Sequence, residues 1–155
     1  MLQLMIIFSI VFLDRITKRL AVVYLKPVGS IPLIKNIFHL TYAENKGAAF
    51  SILQNQRWFF ISVTIVFIFF AMYYLFLHKN ENIILKIGLS MVIGGAIGNL
   101  IDRIIPGYVV DFFDFRAVNF AIFNVADCGI VIGSILLGYY LIFISEKDAS
   151  KVLRK

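Results

Sequence analysis

Residues 58–77 read WFFISVTIVFIFFAMYYLFL and residues 128–145 read CGIVIGSILLGYYLIFIS; neither stretch contains a charge, and in the second only Gly and Ser interrupt the apolar side chains. A helix of roughly 18 or more uncharged, mainly apolar residues is long enough to cross about 30 Å of hydrocarbon. Both stretches meet that length, and they decide the fold class: the chain is built for a bilayer. Its composition agrees, with 61% of 155 residues apolar and only 15% charged. The mean hydropathy of +0.90 lies far from that of a soluble domain.

Two further apolar stretches carry charges: 2–25, with Asp14, Arg15, Lys18 and Arg19, and 83–101, with Lys86 near its start. Reading both as spans predicts an all-α polytopic membrane protein of four transmembrane helices, at about 2–25, 58–77, 83–101 and 128–145, in a single integral-membrane domain 1–155. The first stretch lacks a basic leader and a small-residue cleavage site, so it is expected to stay attached. The last ten residues, 146–155, read as a polar, frayed tail.

Four spans leave two long connections, Lys26 to Arg57 and Asp102 to Asp127, facing away from the side that holds both termini. Six basic residues fall on each side, so the positive-inside rule does not orient the chain. Within the long connections, 36–43 alternates polar with apolar residues and 108–115 is rich in Val and Phe, which predicts a small extracytoplasmic β element.

Fifteen Lys and Arg against nine Asp and Glu give a net charge of +6. In such a chain this points to loops facing anionic lipid, not to nucleic acid, since no basic patch interleaved with aromatics is present. Cys128 is the single cysteine, which excludes an intramolecular disulfide and, with two scattered His residues, a Cys/His metal cluster.

An ionisable side chain within a span is costly, so each needs a named partner or a function. For Asp14 the bland partner is Lys18 at i+4 on the same helix. Gly94 and Gly98 show the small-xxx-small spacing that lets two helices approach. Asn99 follows them, and its amide at depth must face protein or water. Asp102 and Arg103 come next, where contact with lipid headgroups is the simple expectation.

Asp111 is embedded in Tyr108, Val109, Val110, Phe112 and Phe113 with no cation nearby in sequence. Asn124 is a good N-cap for the last span, with Asp127 at the N3 position complementing the helix dipole. If Asp111 and Asp127 converge, repulsion raises one pKa and a single proton is shared. Such a pair can activate a water against a peptide carbonyl and protonate the leaving amine.

Five blocks occur in order: Asp14-Arg-Ile-Thr17-Lys18; Asn45-Lys-Gly47-Ala48-Ala49-Phe50; Gly94 through Gly98-Asn99 to Asp102-Arg103; Val109-Val110-Asp111-Phe112; and Phe123-Asn124-Val-Ala126-Asp127. Together they resemble bacterial lipoprotein signal peptidase, signal peptidase II. The resemblance implies catalytic aspartates at Asp111 and Asp127. It implies supporting or substrate-binding positions at Asp14, Lys18, Asn45, Gly47, Asn99, Arg103, Asn124 and Ala126. Cys128 stands where the family commonly has Ser.

The resemblance further implies a membrane aspartyl endopeptidase that removes the signal peptide of a prolipoprotein just before its diacylglyceryl-modified cysteine, with membrane lipid as its surroundings. The expected protein is a monomer of the bacterial inner membrane, with cytoplasmic termini and its site near the outer leaflet. No metal or organic cofactor and no nucleic acid is implied. Other intramembrane proteases need a His-Glu-x-x-His zinc site, a Gly-x-Gly-Asp motif or a His to partner Ser134, all lacking in the sequence. The remaining rival is a small proton-coupled carrier or scaffold with buried acids.

Overall fold

A computed structural model describes residues 1–47, 54–78 and 81–145. Ala48 to Phe50 of the second sequence block and the tail at 146–155 lie outside the described residues. Helix α1 (Leu2–Leu20) runs directly into a π-helical turn at Ala21–Leu25. Helices α2 (Arg57–Leu77), α3 (Ile83–Ile104) and α4 (Val125–Phe143) follow. α2, α3 and α4 are long and apolar enough to cross a membrane; α1 differs from them in holding Asp14, Arg15, Lys18 and Arg19.

The distribution of polarity is inverted relative to a soluble domain. Phe8, Phe70 and Ile135 are all more than 60% exposed, while Lys18, Asn124, Asp14 and Asp102 are among the most deeply buried side chains. Lipid removes the cost of the first observation, and the second demands internal partners for every polar atom.

α3 sits centrally, packed on α1, α2 and α4. It can do so because its contact faces lack side chains. A Cβ on Gly94 would lie 3.0 Å from Ile10 Cβ, and one on Gly98 would lie 2.7 Å from Asp14 Oδ2, so this pair seats α1. On another face a Cβ on Gly95 would lie 2.3 Å from the Ala126 carbonyl oxygen. α4 therefore meets α3 backbone to backbone there.

Strands β1 (Ser30–Ile34), β2 (Phe38–Asn45) and β3 (Val109–Phe115) form an antiparallel sheet in that order. The expected strands at 36–43 and 108–115 correspond to β2 and β3. β1 was not anticipated, because Pro32 and a mostly exposed, unalternating run hide it. A bulge puts one extra residue into β2 between Leu40, opposite Phe113, and Ala43, opposite Asp111. Val110 and Phe112 pack on Ala21 and Leu25 of the π-helical turn, which leaves Asp111 on the opposite face. Asn45, opposite Val109, is then a diagonal neighbour of Asp111 on that same face.

One isolated bridge completes the frame. Phe123 pairs with Phe113 on the free edge of β3, exchanging bonds of 2.8 Å and 3.1 Å with it. The next residue, Asn124, caps α4, so the helix N-terminus is delivered against the strand that bears Asp111.

Candidate active site

Asn124 is fully buried and forms a capping box with Asp127: its Oδ1 accepts from the Asp127 backbone N–H at 3.0 Å, and Asp127 Oδ2 accepts from the Asn124 backbone N–H at 3.1 Å. The expected cap is thus present. Its other end reaches further, since Asn124 Nδ2 donates to Asp111 Oδ1 at 2.6 Å. Asp111 and Asp127, separated by a strand and a loop in the chain, are brought to the two ends of one amide.

Asn45 Nδ2 donates to Asp111 Oδ2 at 3.1 Å, and Asn99 Nδ2 donates to Asp127 Oδ1 at 2.8 Å. Each carboxylate oxygen therefore receives an N–H. An amide can present either a donor or an acceptor, so what fixes its orientation matters. Gly47 N–H donates to Asn45 Oδ1 at 2.9 Å, the Asp127 N–H holds Asn124 Oδ1, and Lys18 Nζ donates to Asn99 Oδ1 at 2.9 Å. All three asparagines are turned with their NH₂ toward the acids.

Burial, and after it the proximity of Asp127, raise the pKa of Asp111 to about 7, against the pull of hydrogen bonds from Asn45 and Asn124. A carboxyl group of that kind holds its proton near neutrality.

Beneath the two acids lies a buried ionic cluster. Lys18 Nζ is 2.9 Å from Asp14 Oδ2 and 2.9 Å from Asp102 Oδ2. Arg15 pairs with the other oxygen of Asp102. The i+4 pairing of Asp14 with Lys18 is present, yet it is only part of the role: Asp14 Oδ1 also accepts from the Ala126 backbone N–H at 3.0 Å. That N–H belongs to the first turn of α4, which has no intrahelical acceptor, so α1 caps α4 across the bundle.

The headgroup reading of Asp102 is overturned. Asp102 is 1% exposed, accepts from the Val110 backbone N–H at 3.2 Å, and joins α1, α3 and β3. Asp102 and Arg15 were missed as site residues. The available signal was the i, i+3 spacing of Asn99 and Asp102, which puts both on one helix face. Arg103, by contrast, lies at the rim. It donates to the Gly47 carbonyl at 3.0 Å, and its guanidinium lies 4.9 Å from the centre of the Phe60 ring.

A cavity of about 470 Å³ opens over Asp111 and Asp127, with Asn45, Asn99 and Arg103 on its wall. Phe120, Ile122, Ile130 and Val131 make the rest of it apolar. Paired carboxyl groups at the floor of a greasy cleft suit hydrolysis of a bond within an apolar substrate.

Comparison with known proteins agrees with this arrangement. The family model described as signal peptidase (SPase) II matches residues 6–143. A lipoprotein signal peptidase of Caldanaerobacter subterraneus is 52% identical over 92% of this chain and 97% of its own length. One from Clostridioides difficile is 44% identical over 96% of this chain and 99% of its own. A bacterial membrane enzyme solved by the in meso method at 2.3 Å superposes with a TM-score of 0.85 at 32% identity, covering 96% of this chain and 90% of that one. With the match running through all four helices, the sheet and the paired acids, the chain belongs to the signal peptidase (SPase) II family.

Proposed function

We propose that the protein removes the signal peptide from diacylglyceryl-modified prolipoproteins by cutting just before the lipidated cysteine, with Asp111 and Asp127 as its catalytic pair. It is an aspartic-type membrane endopeptidase. The observation that carries the assignment of residues is Asn124: this one buried residue donates its side-chain Nδ2 to the Asp111 carboxylate and its backbone N–H to the Asp127 carboxylate, both acids lining the same apolar cavity.

Asp111 carries the shared proton, in keeping with its raised pKa, and Asp127 is the base. Asp127 takes a proton from water as the water oxygen attacks the scissile carbonyl, while Asp111 donates to the oxygen on which charge develops. Collapse of the tetrahedral species breaks the C–N bond, and a carboxyl proton goes to the cysteine amine. Asn45, Asn99 and Asn124 hold the acids; Asp14, through Ala126, sets the start of α4; Arg103 and Gly47 shape the rim.

α1 and its π-helical turn serve as a fourth span. Support comes from its outward Phe8, Phe12 and Leu13, all exposed, against its inward Asp14 and Lys18, an arrangement suited to lipid outside and a polar core within. The whole chain then acts as one monomeric domain with cytoplasmic termini, and the sheet and cavity sit at the outer leaflet of the inner membrane. Substrate helix and lipid chains arrive laterally through the bilayer.

The test is a gel-shift assay on a diacylated prolipoprotein with purified protein in lipid. Wild-type protein releases the signal peptide, while Asp111→Asn and Asp127→Asn, folded and inserted, do not. Substantial cleavage by either variant refutes the pair, and no cleavage by the wild type refutes the function.

A further inference from the structure

We infer that Lys18 is a positioning residue for the acidic pair: by holding the oxygen end of the Asn99 amide it turns the N–H end toward Asp127, and Asp14, Asp102 and Arg15 balance its buried charge. This rests on Asp111 and Asp127 being the reacting pair.

The reasoning starts from the near-equal shape of the two ends of an amide. Facing a carboxyl group, the N–H end favours the ionised form and the oxygen end the protonated form. For Asn45 and Asn124 the orientation is fixed locally by a backbone N–H. Among the described residues Asn99 has no such backbone donor; its oxygen faces Lys18 Nζ at 2.9 Å and Asn124 Nδ2 at 3.2 Å. The second of these shares its two protons among Asn99, Asp111 at 2.6 Å and the Val110 carbonyl at 3.4 Å, so the shorter bond from the charged Lys18 is the stronger hold. An ammonium group has donors and no acceptor, so Lys18 tolerates only the oxygen end.

Lys18 is 1% exposed, and counter-ion duty alone does not explain its reach, because Arg15 also serves Asp102. Its ammonium group makes three contacts of 2.9 Å, ion pairs with Asp14 and Asp102 and a hydrogen bond to Asn99. Among the described residues, the charged groups of the site around Asp127 are Lys18, Arg15 and Asp14 from α1, Asp102 and Arg103 from α3, and Asp111 from β3. Of these, Lys18 is the one bonded to the amide that donates to Asp127.

The experiment measures the pH dependence of kcat on a diacylated prolipoprotein, in one lipid mixture, with thermal unfolding recorded alongside. Lys18→Met removes the donor but strands two carboxylates, so Asp14→Asn/Lys18→Met is made as well, removing one charge of each sign. Expected in both is a shift of the acid limb to higher pH by roughly one to two units, the scale of one hydrogen bond to a carboxylate, with KM little changed. In an Asn99→Ala background the Lys18 change should shift the limb no further, because both act through one contact. An unmoved acid limb, with activity falling only as the folded fraction falls, overturns the inference, as does a further full shift in the Asn99→Ala background. Wild-type protein that does not cleave, or an active Asp127→Asn, defeats the underlying pair instead and the inference with it.

Discussion

Asn124 performs two tasks with the two ends of one side chain, and substitution can separate them. The cap, Oδ1 on the Asp127 N–H at 3.0 Å, is a stability feature; replacing an Asn cap by Ala costs about 1 kcal/mol. The donation from Nδ2 to Asp111 at 2.6 Å is a site feature, and a hydrogen bond to the uncharged carboxyl group that Asp111 presents contributes about 0.5 to 1.5 kcal/mol. Expressed in the barrier this is roughly two- to tenfold in rate. Asn124→Ala loses both. Asn124→Ser keeps a capping oxygen but is too short to reach Asp111. Thermal melting in detergent should therefore show Ala lowered and Ser close to wild type, while gel-shift cleavage of a lipidated substrate should be slowed to a similar degree in both. Wild-type cleavage rates in Asn124→Ser would refute the argument, since they would mean that the contact with Asp111 contributes nothing beyond the cap.

Gly95→Ala should destabilise the fold strongly, because its Cβ would stand 2.3 Å from the backbone oxygen of Ala126; overpacking of this kind costs at least about 1–3 kcal/mol, read as a lower melting temperature. Arg103→Ala should slow cleavage less completely than the loss of either acid, as steady-state rates will show, since its bond goes to the Gly47 carbonyl and not to a carboxylate. The pH profile should be bell-shaped, with activity falling on the alkaline side near neutrality as Asp111, whose pKa is about 7, ionises; the limbs belong to the coupled pair. Stability follows the same group. The folded pKa lies above the ordinary 3.8, so the native state holds the proton where the unfolded state has lost it, and stability declines as pH rises from about 4 through about 7. Asp111→Asn removes that penalty and should melt higher than wild type above neutral pH while cleaving nothing; a lower melting point there would contradict the burial argument.

What the sequence disclosed was local. The uncharged runs at 58–77 and 128–145, the i+4 pair of Asp14 with Lys18, and the cap of Asn124 on Asp127 all follow from composition or from spacing within one helical turn. What it concealed were contacts set by packing: Arg15 to Asp102 spans 87 positions, and Asp111 meets Asn124 because Phe123 bridges Phe113 on a strand edge, which no periodicity announces. β1, with Pro32 and its exposed side chains, gave no alternating pattern to read.

The division has a physical pattern. A buried polar side chain has more than one bonding end, and each must be satisfied. Asn45 uses its oxygen on Gly47, two residues away, and its nitrogen on Asp111; Asn124 uses its oxygen on Asp127, three away, and its nitrogen on Asp111; Asp14 uses one oxygen on Lys18 and the other on the Ala126 N–H. In each case the near partner is legible from sequence and fixes orientation, whereas the far partner is the one that builds the site. Asn99 departs from the pattern, because both its ends are committed to remote groups, Lys18 on α1 and Asp127 on α4. Its orientation therefore depends on how α1 seats against α3, and the glycines that permit that seating, Gly94 and Gly98, become part of the chemistry without touching the reacting atoms.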